Sequence, residues 1–359
     1  MTIEYISDRI SRLRAAFTGL EIDAILVSQP ENRYYLSGFE GSTGYLLVSK
    51  YTKMIAVDFR YVEQAKMQCP GFDVFKIEGS LKEWLPRLLL DHALGSLGLE
   101  SDFLKMAEFQ RFNQIISEIK PGIKTIPTMD TVQDLRMIKD SYEIGLVSEA
   151  VKATEYAMDF ASEQIIKPGI SEKEAAWQIE KYIREAGGEL AFPIIIAGGA
   201  ASAMPHAQPT ERLIHENEPV VVDLGVKLNN YCGDLTRTFW FGKKNKRFEE
   251  LYHLVLEAQT QAIAKINDSH TGAEADAFAR DVISQAGYGQ EFGHSLGHGI
   301  GLAVHELPRI GVSGDSLLSD GMIFTIEPGV YIPGWGGIRI EDDVVLECGK
   351  IKQLSKIAK

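Results

Sequence analysis

A polar stretch between two runs of β-branched residues constrains this chain more than any other feature. Residues 220–238 read VVVDLGVKLNNYCGDLTRT, a pattern typical of a β-hairpin with a polar tip. A two-residue turn at Leu228-Asn229 would place Asp223 directly opposite Asp234, with Cβ atoms roughly 5 Å apart. Carboxylates held so close repel each other, so one stays protonated unless a cation lies between them. The hairpin therefore predicts a metal site.

The composition limits the class of protein around this hairpin. The chain has 359 residues, of which 45% are hydrophobic and 24% charged, which suits two globular domains. A formal charge of −13 argues against a nucleic acid or an anionic membrane as partner. The sequence contains no long apolar run, and its first residues do not resemble a signal peptide. Three cysteines without a CxxC motif (Cys69, Cys232 and Cys348) argue against disulfides and thiolate metal sites and predict a cytoplasmic location.

The first third of the chain alternates short apolar strands with helical stretches, which predicts an α/β domain. A glycine-rich loop is expected between Glu31 and Gly44, and Pro121-Gly122 and Pro127 mark the end of the domain. We therefore expect one domain over residues 1–127 and a second over residues 128–359. Strands are predicted at Ile22–Ser28, Gly44–Ser49, Lys53–Asp58 and Phe72–Ile77.

The second domain contains an internal repeat with an offset of one hundred residues. Ser171 with Glu174 and Thr271 with Glu274 both have the spacing of a capping box that opens a helix. Each of these helices is expected to end at a glycine, Gly187 in the first copy and Gly287 in the second. Two related halves are therefore predicted, and the second half should carry its own acidic hairpin.

That second hairpin is present in residues 322–346, where two β runs flank a tip rich in glycine and proline. Glu327 and Glu341 are equally far from Gly334 in this tip, so the hairpin should bring them face to face. Between the two hairpins lies the glycine-rich segment 294–309, which contains three histidines: His294, His298 and His305.

Two aspartates, two glutamates and a histidine form a ligand set dominated by hard oxygen atoms. Such a set suits divalent ions such as Mn, Co, Fe or Zn. Two ions roughly 3.5–4 Å apart share a water, make it a hydroxide nucleophile and polarise the carbonyl that it attacks. This is the chemistry of amide hydrolysis. His206, which follows a stretch of small residues at 196–202, could donate a hydrogen bond to the tetrahedral intermediate. A lone aspartate in a hairpin is usually a solvated turn residue, so the prediction depends on the two hairpins together.

The set Asp223, Asp234, His298, Glu327 and Glu341 resembles the metal site of the pita-bread metallopeptidases. These include methionine aminopeptidase, aminopeptidase P and prolidase. Residues 128–359 resemble their α+β catalytic domain with its internal pseudo-two-fold repeat, and residues 1–127 resemble the α/β creatinase-type N-terminal domain. The segment His294-x3-His298-Gly-Ile-Gly-Leu-x2-His305-Glu carries much of this likeness. Because methionine aminopeptidases lack the N-terminal domain, the resemblance implies a peptidase that cleaves Xaa-Pro bonds.

The resemblance also implies individual roles. Two divalent ions, with manganese expected first and cobalt or zinc as alternatives, would be bound by the five ligands, and Asp234 and Glu341 would touch both. Glu327 would also shuttle a proton, and His305 would stabilise the gem-diolate. His206 and His294 would position the substrate. Arg339, two residues before Glu341, would orient the ligands from behind, unless it forms only a surface salt bridge.

Three alternatives remain open at this point. An amidinohydrolase of the creatinase type and a non-catalytic peptide-binding module share the fold, but such proteins lose the metal ligands that this chain retains. The third concerns substrate length: Arg309 could pair with the free carboxylate of a dipeptide or be an exposed loop residue, so a dipeptidase and an aminopeptidase P acting on longer peptides both fit. A homodimer is expected from the resemblance alone.

Overall fold

The computed structural model describes residues 3–90, 92–243 and 245–359, and the chain divides into two compact units between Arg136 and Met137. This division lies nine residues beyond the expected boundary at 127/128. The reason is a short helix at Gln133–Met137, whose Arg136 donates a hydrogen bond of 2.8 Å to the Asn32 side chain of the first unit. Burying both side chains ties this helix to the first unit, which proline and glycine positions alone do not reveal.

The first unit is built on one mixed six-stranded sheet in the order β4-β3-β2-β1-β5-β6. Strands β1–β2 and β2–β3 pair antiparallel, and the outer pairs β3–β4, β1–β5 and β5–β6 are parallel. The predicted α/β class is confirmed. The strands are β1 Ala24–Val27, β2 Tyr45–Ser49, β3 Lys53–Val57, β4 Asp73–Lys76, β5 Ser96–Glu100 and β6 Lys124–Thr128, and the helices are α1 Ile3–Leu20, α2 Pro30–Ser37, α3 Val62–Gln68, α4 Leu81–Leu89, α5 Met106–Ile119 and α6 Gln133–Met137.

Helix α2 covers residues 31–37, half of the loop that was expected over Glu31–Gly44, so that expectation was wrong for this half. Pro30 occupies the first helical turn, where its missing N–H costs nothing. Gly38 ends the helix in the left-handed conformation, with φ of 78°. The buried carboxylate of Glu100 accepts hydrogen bonds from the Ser28 and Gln29 N–H groups just before the helix. This partner lies about seventy residues away, so the local sequence does not show it.

The second unit contains two similar halves, each with two helices and a set of antiparallel strands. Its helices are α7 Ser141–Phe160, continued by a π-helical turn Ala161–Ile165, then α8 Glu172–Glu185, α9 Lys246–Lys265 and α10 Gly272–Gln285, with a 3-10 turn at Gly199–Ala203. Its strands are β7 Glu189–Leu190, β8 Ile195–Gly198, β9 Pro219–Leu224, β10 Val226–Leu228, β11 Tyr231–Cys232, β12 Leu235–Trp240, β13 Gly297–Gly299, β14 Glu306–Ile310, β15 Ile323–Ile326, β16 Gly329–Ile332, β17 Gly336–Arg339, β18 Asp342–Glu347 and β19 Lys350–Gln353.

The predicted repeat is confirmed in the helices α8 and α10. Both have 14 residues, and their caps Ser171 and Thr271 accept hydrogen bonds from the N–H groups of Glu174 and Glu274. Both helices are followed by a glycine with positive φ, 85° at Gly187 and 89° at Gly287. The reciprocal half of the capping box forms in α10, whereas in α8 the Glu174 carboxylate accepts a hydrogen bond from Gln178.

The second hairpin has the expected register. Gly329 pairs with Arg339 and Ile332 with Gly336, and the inner ladder pairs Ile326 with Asp342. The two ladders share one register, centred on Gly334, so Glu327 faces Glu341 between them.

The first hairpin differs from the expectation by two residues. Leu228 pairs with Tyr231, so the turn is Asn229-Asn230 rather than Leu228-Asn229, and Asp223 pairs with Thr236 rather than with Asp234. Both asparagines adopt positive φ, 50° and 69°. Asparagine tolerates this conformation and leucine does not. A shift of two residues keeps side chains on the same face, so both aspartates still reach the same site, diagonally rather than directly opposed.

Candidate active site

A cavity of about 440 Å³ in the second unit brings the predicted site residues together. The cavity is lined by residues of both hairpins and of the histidine-rich segment 294–309 between them. Phe192, Pro193 and Ile195 form part of its apolar wall. All ten residues that the sequence singled out lie in its lining: Asp223, Asp234, His298, Glu327, Glu341, His206, His294, His305, Arg309 and Arg339.

Three of these residues form a compact group with the spacing of a metal site. One potential ligand atom from each of Asp234, His298 and Glu341 lies within 4.8 Å of the others. Nε2 of His298 is 3.8 Å from Asp234 Oδ2 and 3.3 Å from Glu327 Oε1. The remaining predicted ligand, Asp223, lies in the same cavity lining.

His298 has the protonation state that a metal ligand requires. Its Nδ1 is 3.2 Å from the Gly299 carbonyl, which can only accept, so Nδ1 carries the proton and Nε2 presents its lone pair to the carboxylates. Burial lowers the pKa of this imidazole, which favours the neutral form. A lone pair that faces carboxylates is repelled unless a cation lies between them.

The carboxylates themselves are buried without enough donors. Burial, reinforced by the neighbouring carboxylates, raises the pKa of Asp234 and of Glu341 well above the ordinary values. Burial also raises the pKa of Glu327. Oδ1 of Asp223 and Oδ1 of Asp234 are buried and receive no hydrogen bond from the described residues. Buried oxygens without donors are costly, and divalent cations are the partners that such oxygens take. The donor set therefore fits metal ions.

Arg339 lies behind the carboxylates and is almost completely buried, so it is not a surface ion pair. Its Nη2 donates to Asp223 Oδ2 at 2.5 Å, and its Nε donates to the Thr236 hydroxyl at 3.1 Å. That hydroxyl in turn donates to Glu341 Oε2 at 2.5 Å. Although burial alone would lower it, the pKa of Arg339 is held well above its ordinary value by Tyr331, Asp223 and the nearby glutamates. One guanidinium thus orients a carboxylate from each hairpin.

His294 is bound to the protein through both ring nitrogens. Tyr331 accepts a hydrogen bond of 3.0 Å from Arg339, so its own proton is available to His294 Nε2, 2.9 Å away. Nδ1 of His294 is then the donor to the Ser295 carbonyl at 2.7 Å. Burial lowers the pKa of His294, in agreement with a neutral ring. In this arrangement His294 can contact a ligand only through the face or edge of its ring.

The other two histidines lie at the rim of the cavity. The ring of His305 is 4.3 Å from that of His298, between centroids, and partial burial lowers its pKa. Its loop is held by Glu306, which forms a buried ion pair of 2.7 Å with Lys139. His206 follows the turn at Gly199–Ala203, where the Ser202 hydroxyl accepts a hydrogen bond of 2.8 Å from Gly337. This contact joins the loop of His206 to the strand of Arg339.

Sequence reasoning missed Tyr331 and Thr236, which link Arg339 to His294 and Glu341. Thr236 follows Asp234 at the two-residue spacing that keeps side chains on one face of a strand, and Tyr331 lies four residues after Glu327. That alternation could have identified Thr236. No local pattern indicates Tyr331, because its role depends on the position of His294.

Comparison with known proteins identifies the family of this chain. Residues 145–347 match metallopeptidase family M24, and residues 9–138 match the creatinase/prolidase N-terminal domain. The Xaa-Pro dipeptidase of Pyrococcus furiosus is 36% identical over 353 residues, which cover 97% of this chain and 98% of that protein. The structure of an Xaa-Pro dipeptidase from Bacillus anthracis has a TM-score of 0.94 at 37% identity, covering 99% of this chain and 98% of the other. The structure of an X-Pro aminopeptidase from Thermotoga maritima has a TM-score of 0.86 at 37% identity and covers 98% of both chains.

A buried carboxylate–histidine centre in a duplicated α+β unit defines a metal-dependent hydrolase. The chain belongs to metallopeptidase family M24 and carries a creatinase/prolidase N-terminal domain. The predicted family and fold are confirmed. Among the described residues, no helix combines the length and the apolar character needed to cross a bilayer.

Proposed function

We propose that this protein is an Xaa-Pro peptidase that uses two divalent metal ions to remove the residue preceding a proline. The observation that carries the proposal is that three buried carboxylates and the partly buried Glu327 line one cavity together with Nε2 of His298. The metal ligands would be Asp223, Asp234, His298, Glu327 and Glu341. When bound, the ions supply a hydroxide nucleophile near neutral pH and polarise the scissile carbonyl.

In this proposal Glu327 transfers the proton from the attacking water to the leaving amine. Its carboxylate accepts a hydrogen bond of 3.2 Å from the Thr325 hydroxyl, and this same hydroxyl accepts the main-chain N–H of His298 at 3.1 Å. Thr325 therefore links the Glu327 carboxylate to the backbone that carries His298.

The histidines would act on the substrate. His305 would donate a hydrogen bond to the oxygen that becomes negative in the tetrahedral intermediate. His206 would position the substrate from the opposite half. His294, whose ring nitrogens bind Tyr331 and Ser295, would pack its ring against the substrate. An Xaa-Pro bond has no N–H to grip, so recognition by packing suits the pyrrolidine ring.

Arg309 favours a dipeptide as substrate. The side chain is exposed and lines the cavity, and the described residues include no ion-pair partner for it. A guanidinium in this position can bind the free carboxylate of an Xaa-Pro dipeptide with two hydrogen bonds. The names of the relatives include both dipeptidases and an aminopeptidase, so substrate length has to be measured.

The test supplies the metal-stripped protein with Mn²⁺, Co²⁺ or Zn²⁺ and compares an Xaa-Pro dipeptide, an Xaa-Pro-Xaa tripeptide and a dipeptide without proline. We expect cleavage of the proline substrates only, with the dipeptide preferred, and loss of this preference in Arg309→Met. Equal cleavage of the control dipeptide would contradict proline specificity. Activity that survives a chelator or Asp234→Asn would contradict the metal mechanism. No cleavage of any of the three peptides would favour an amidinohydrolase or a non-catalytic binding module.

We further propose manganese as the native ion, a homodimer as the assembly and the cytoplasm as the compartment. The first two rest on the resemblance to the family, and the third on the low cysteine content and the absence of a disulfide among the described residues. Metal analysis of the protein purified without added metal tests the first, and sedimentation velocity tests the second, for which a monomeric profile would be the contradicting result.

A further inference from the structure

Arg237 projects from β12 on the side opposite to the cavity. Its neighbour Thr236 donates to Glu341 on the cavity side, and successive residues of a strand point to opposite faces. The Arg237 side chain is nevertheless almost fully buried, with 4% of its surface exposed. A buried cation directly behind the metal-ligand strands therefore needs a structural or functional explanation.

All five N–H groups of this guanidinium have an acceptor, which is the full donor capacity of an arginine. Nη1 donates to the carbonyl of Thr236 at 2.9 Å and to that of Glu341 at 2.6 Å. Nη2 donates to Asp342 Oδ1 at 2.9 Å. Arg237 therefore binds one main-chain carbonyl in each hairpin, and one of the two belongs to Glu341, a proposed metal ligand.

The remaining two donors bind a segment with no regular structure, residues 354–359, which follows β19. Nε donates to the Ala358 carbonyl at 2.9 Å, and Nη2 donates to the Ile357 carbonyl at 3.1 Å. From the same segment, Lys359 forms an ion pair of 2.6 Å with Asp342. The segment thus completes the coordination of Arg237 and of Asp342.

Further contacts hold the segment in place. Glu155 on α7 accepts hydrogen bonds from the N–H groups of Lys356 and Ile357, the second at 2.8 Å. The Ser355 hydroxyl accepts the Asp343 N–H at 3.0 Å. Asp343 Oδ2 in turn accepts the Asp234 N–H at 2.9 Å. The hydrogen bonds of the segment therefore lead to the backbones of two proposed metal ligands. They reach Glu341 through Arg237 and Asp234 through Asp343.

We propose that segment 354–359, through its hydrogen bonds to Arg237, positions Asp234 and Glu341 for metal binding. The side chains of these two ligands repel each other, and a strand that can move relieves the repulsion by moving the carboxylates apart. Anchoring the carbonyls of Thr236 and Glu341 to one cation prevents that movement. Arg237 and the segment are positioning elements, and this inference rests on the proposed metal site.

The test uses the full chain with residues 356–359 removed, with Arg237→Lys as the second variant. The lysine keeps the charge but offers three donors in place of a planar fork of five. The matched control is Lys356→Ala, since the Lys356 side chain is exposed and only its main-chain N–H joins the network. Each metal-free protein is titrated with Co²⁺ against a chromophoric chelator, and the visible spectrum of the bound Co²⁺ is recorded well below the melting temperature.

We expect the deletion and Arg237→Lys to weaken Co²⁺ binding by about 10–100-fold, the usual effect of removing a group that orients metal ligands, and to change the Co²⁺ spectrum. Lys356→Ala should match the wild type. A purely structural role would lower the melting temperature and leave the affinity and spectrum unchanged, which would overturn the proposal. If the deletion variant does not fold, Arg237→Lys decides. A wild-type protein that binds no Co²⁺ would refute the metal site itself, and this inference with it.

Discussion

The buried guanidinium of Arg339 needs hydrogen-bond acceptors, and the carboxylates around it need donors or cations. Arg339 donates to Asp223, Thr236 and Tyr331, so its burial is well compensated. Asp223 and Asp234 each keep one buried oxygen without a donor among the described residues. A single positive charge cannot compensate four carboxylates, so the remaining negative charge is available for cations.

Replacing Arg339 by lysine tests its orienting role. Lysine keeps the charge but cannot contact Asp223, Thr236 and Tyr331 with the same planar geometry. We expect kcat to fall by about 10–100-fold while KM changes little, because no substrate contact is removed. The measurement is steady-state hydrolysis of an Xaa-Pro dipeptide. Arg184→Lys is the control, since Arg184 forms only an exposed ion pair with Glu180. An Arg339→Lys protein with wild-type kcat would refute the orienting role.

The raised pKa of Glu341 predicts how pH affects the metal-free protein. Burial and the neighbouring carboxylates raise this pKa well above 4.5 in the folded state. The stability that a protonated Glu341 contributes is therefore complete below pH 4.5 and is lost as the pH rises through the folded pKa. Glu341→Gln stays neutral at every pH. We expect the melting temperature of metal-free Glu341→Gln to exceed that of the wild type by a margin that grows with pH.

Thermal melts of both metal-free proteins between about pH 4 and 8 measure this margin. The difference between the two proteins removes the contribution of titrating groups that do not interact with Glu341. Saturating metal should reverse the order, because the wild-type carboxylate then has a cation as its partner. A margin that shrinks as pH rises would contradict the raised pKa.

At the scale of elements, glycines allow close packing around the loops that carry the histidines. A Cβ on Gly337 of β17 would lie 2.1 Å from the Ser202 carbonyl oxygen, in the turn that precedes His206. A Cβ on Gly301 would meet the Glu306 carboxylate at 2.3 Å, beside the ion pair with Lys139. The contact at Gly337 is with backbone, which cannot move aside as a side chain can, whereas the contact at Gly301 is with the Glu306 side chain.

Substituting Gly337 by alanine should displace the turn that leads to His206. Overpacking of this kind costs about 1–3 kcal/mol of unfolding free energy, and the shift should also lower kcat/KM by moving His206. Urea denaturation and dipeptide hydrolysis measure the two effects. Gly145→Ala in α7 is the control, because a Cβ there has no atom within 4 Å and should stabilise the helix by about 0.5–1 kcal/mol. Unchanged stability and activity in Gly337→Ala would contradict the close contact.

At the scale of the whole molecule, each of the two units has its own hydrophobic core. The first core is built from β1, β2, β5 and the helices α4 and α5, and the second unit has one core in each half. All ten site residues belong to the second unit. Metal binding should therefore stabilise that unit directly.

Calorimetry with and without Mn²⁺ tests this expectation. A ligand that binds only the folded state stabilises it by about 2.7 kcal/mol when its free concentration is about 100 times Kd. We expect the transition of the second unit to move to higher temperature as Mn²⁺ is added, and Mg²⁺ at equal concentration to have a smaller effect. Asp234→Asn should abolish the Mn²⁺ shift. A transition that does not respond to Mn²⁺ in the wild type would contradict the metal site.

The sequence by itself predicted two units, the repeat, the second hairpin and ten residues that the structure places in one cavity. It could do so because capping residues, helix-ending glycines and strand alternation act over a few residues. The register of the first hairpin could also have been predicted from the sequence, since Asn229 and Asn230 tolerate positive φ and Leu228 does not.

Only the tertiary structure decided how these residues are held. Arg339 donates a hydrogen bond to Asp223, 116 positions away along the chain, and Arg237 donates one to Ile357, 120 positions away. Arg136 in helix α6 donates one to Asn32, 104 positions away. Buried polar groups must find partners wherever the fold brings them, and nothing in the local sequence specifies those partners. The types of residue in the site follow from local spacing, and their orientation follows from contacts between distant segments.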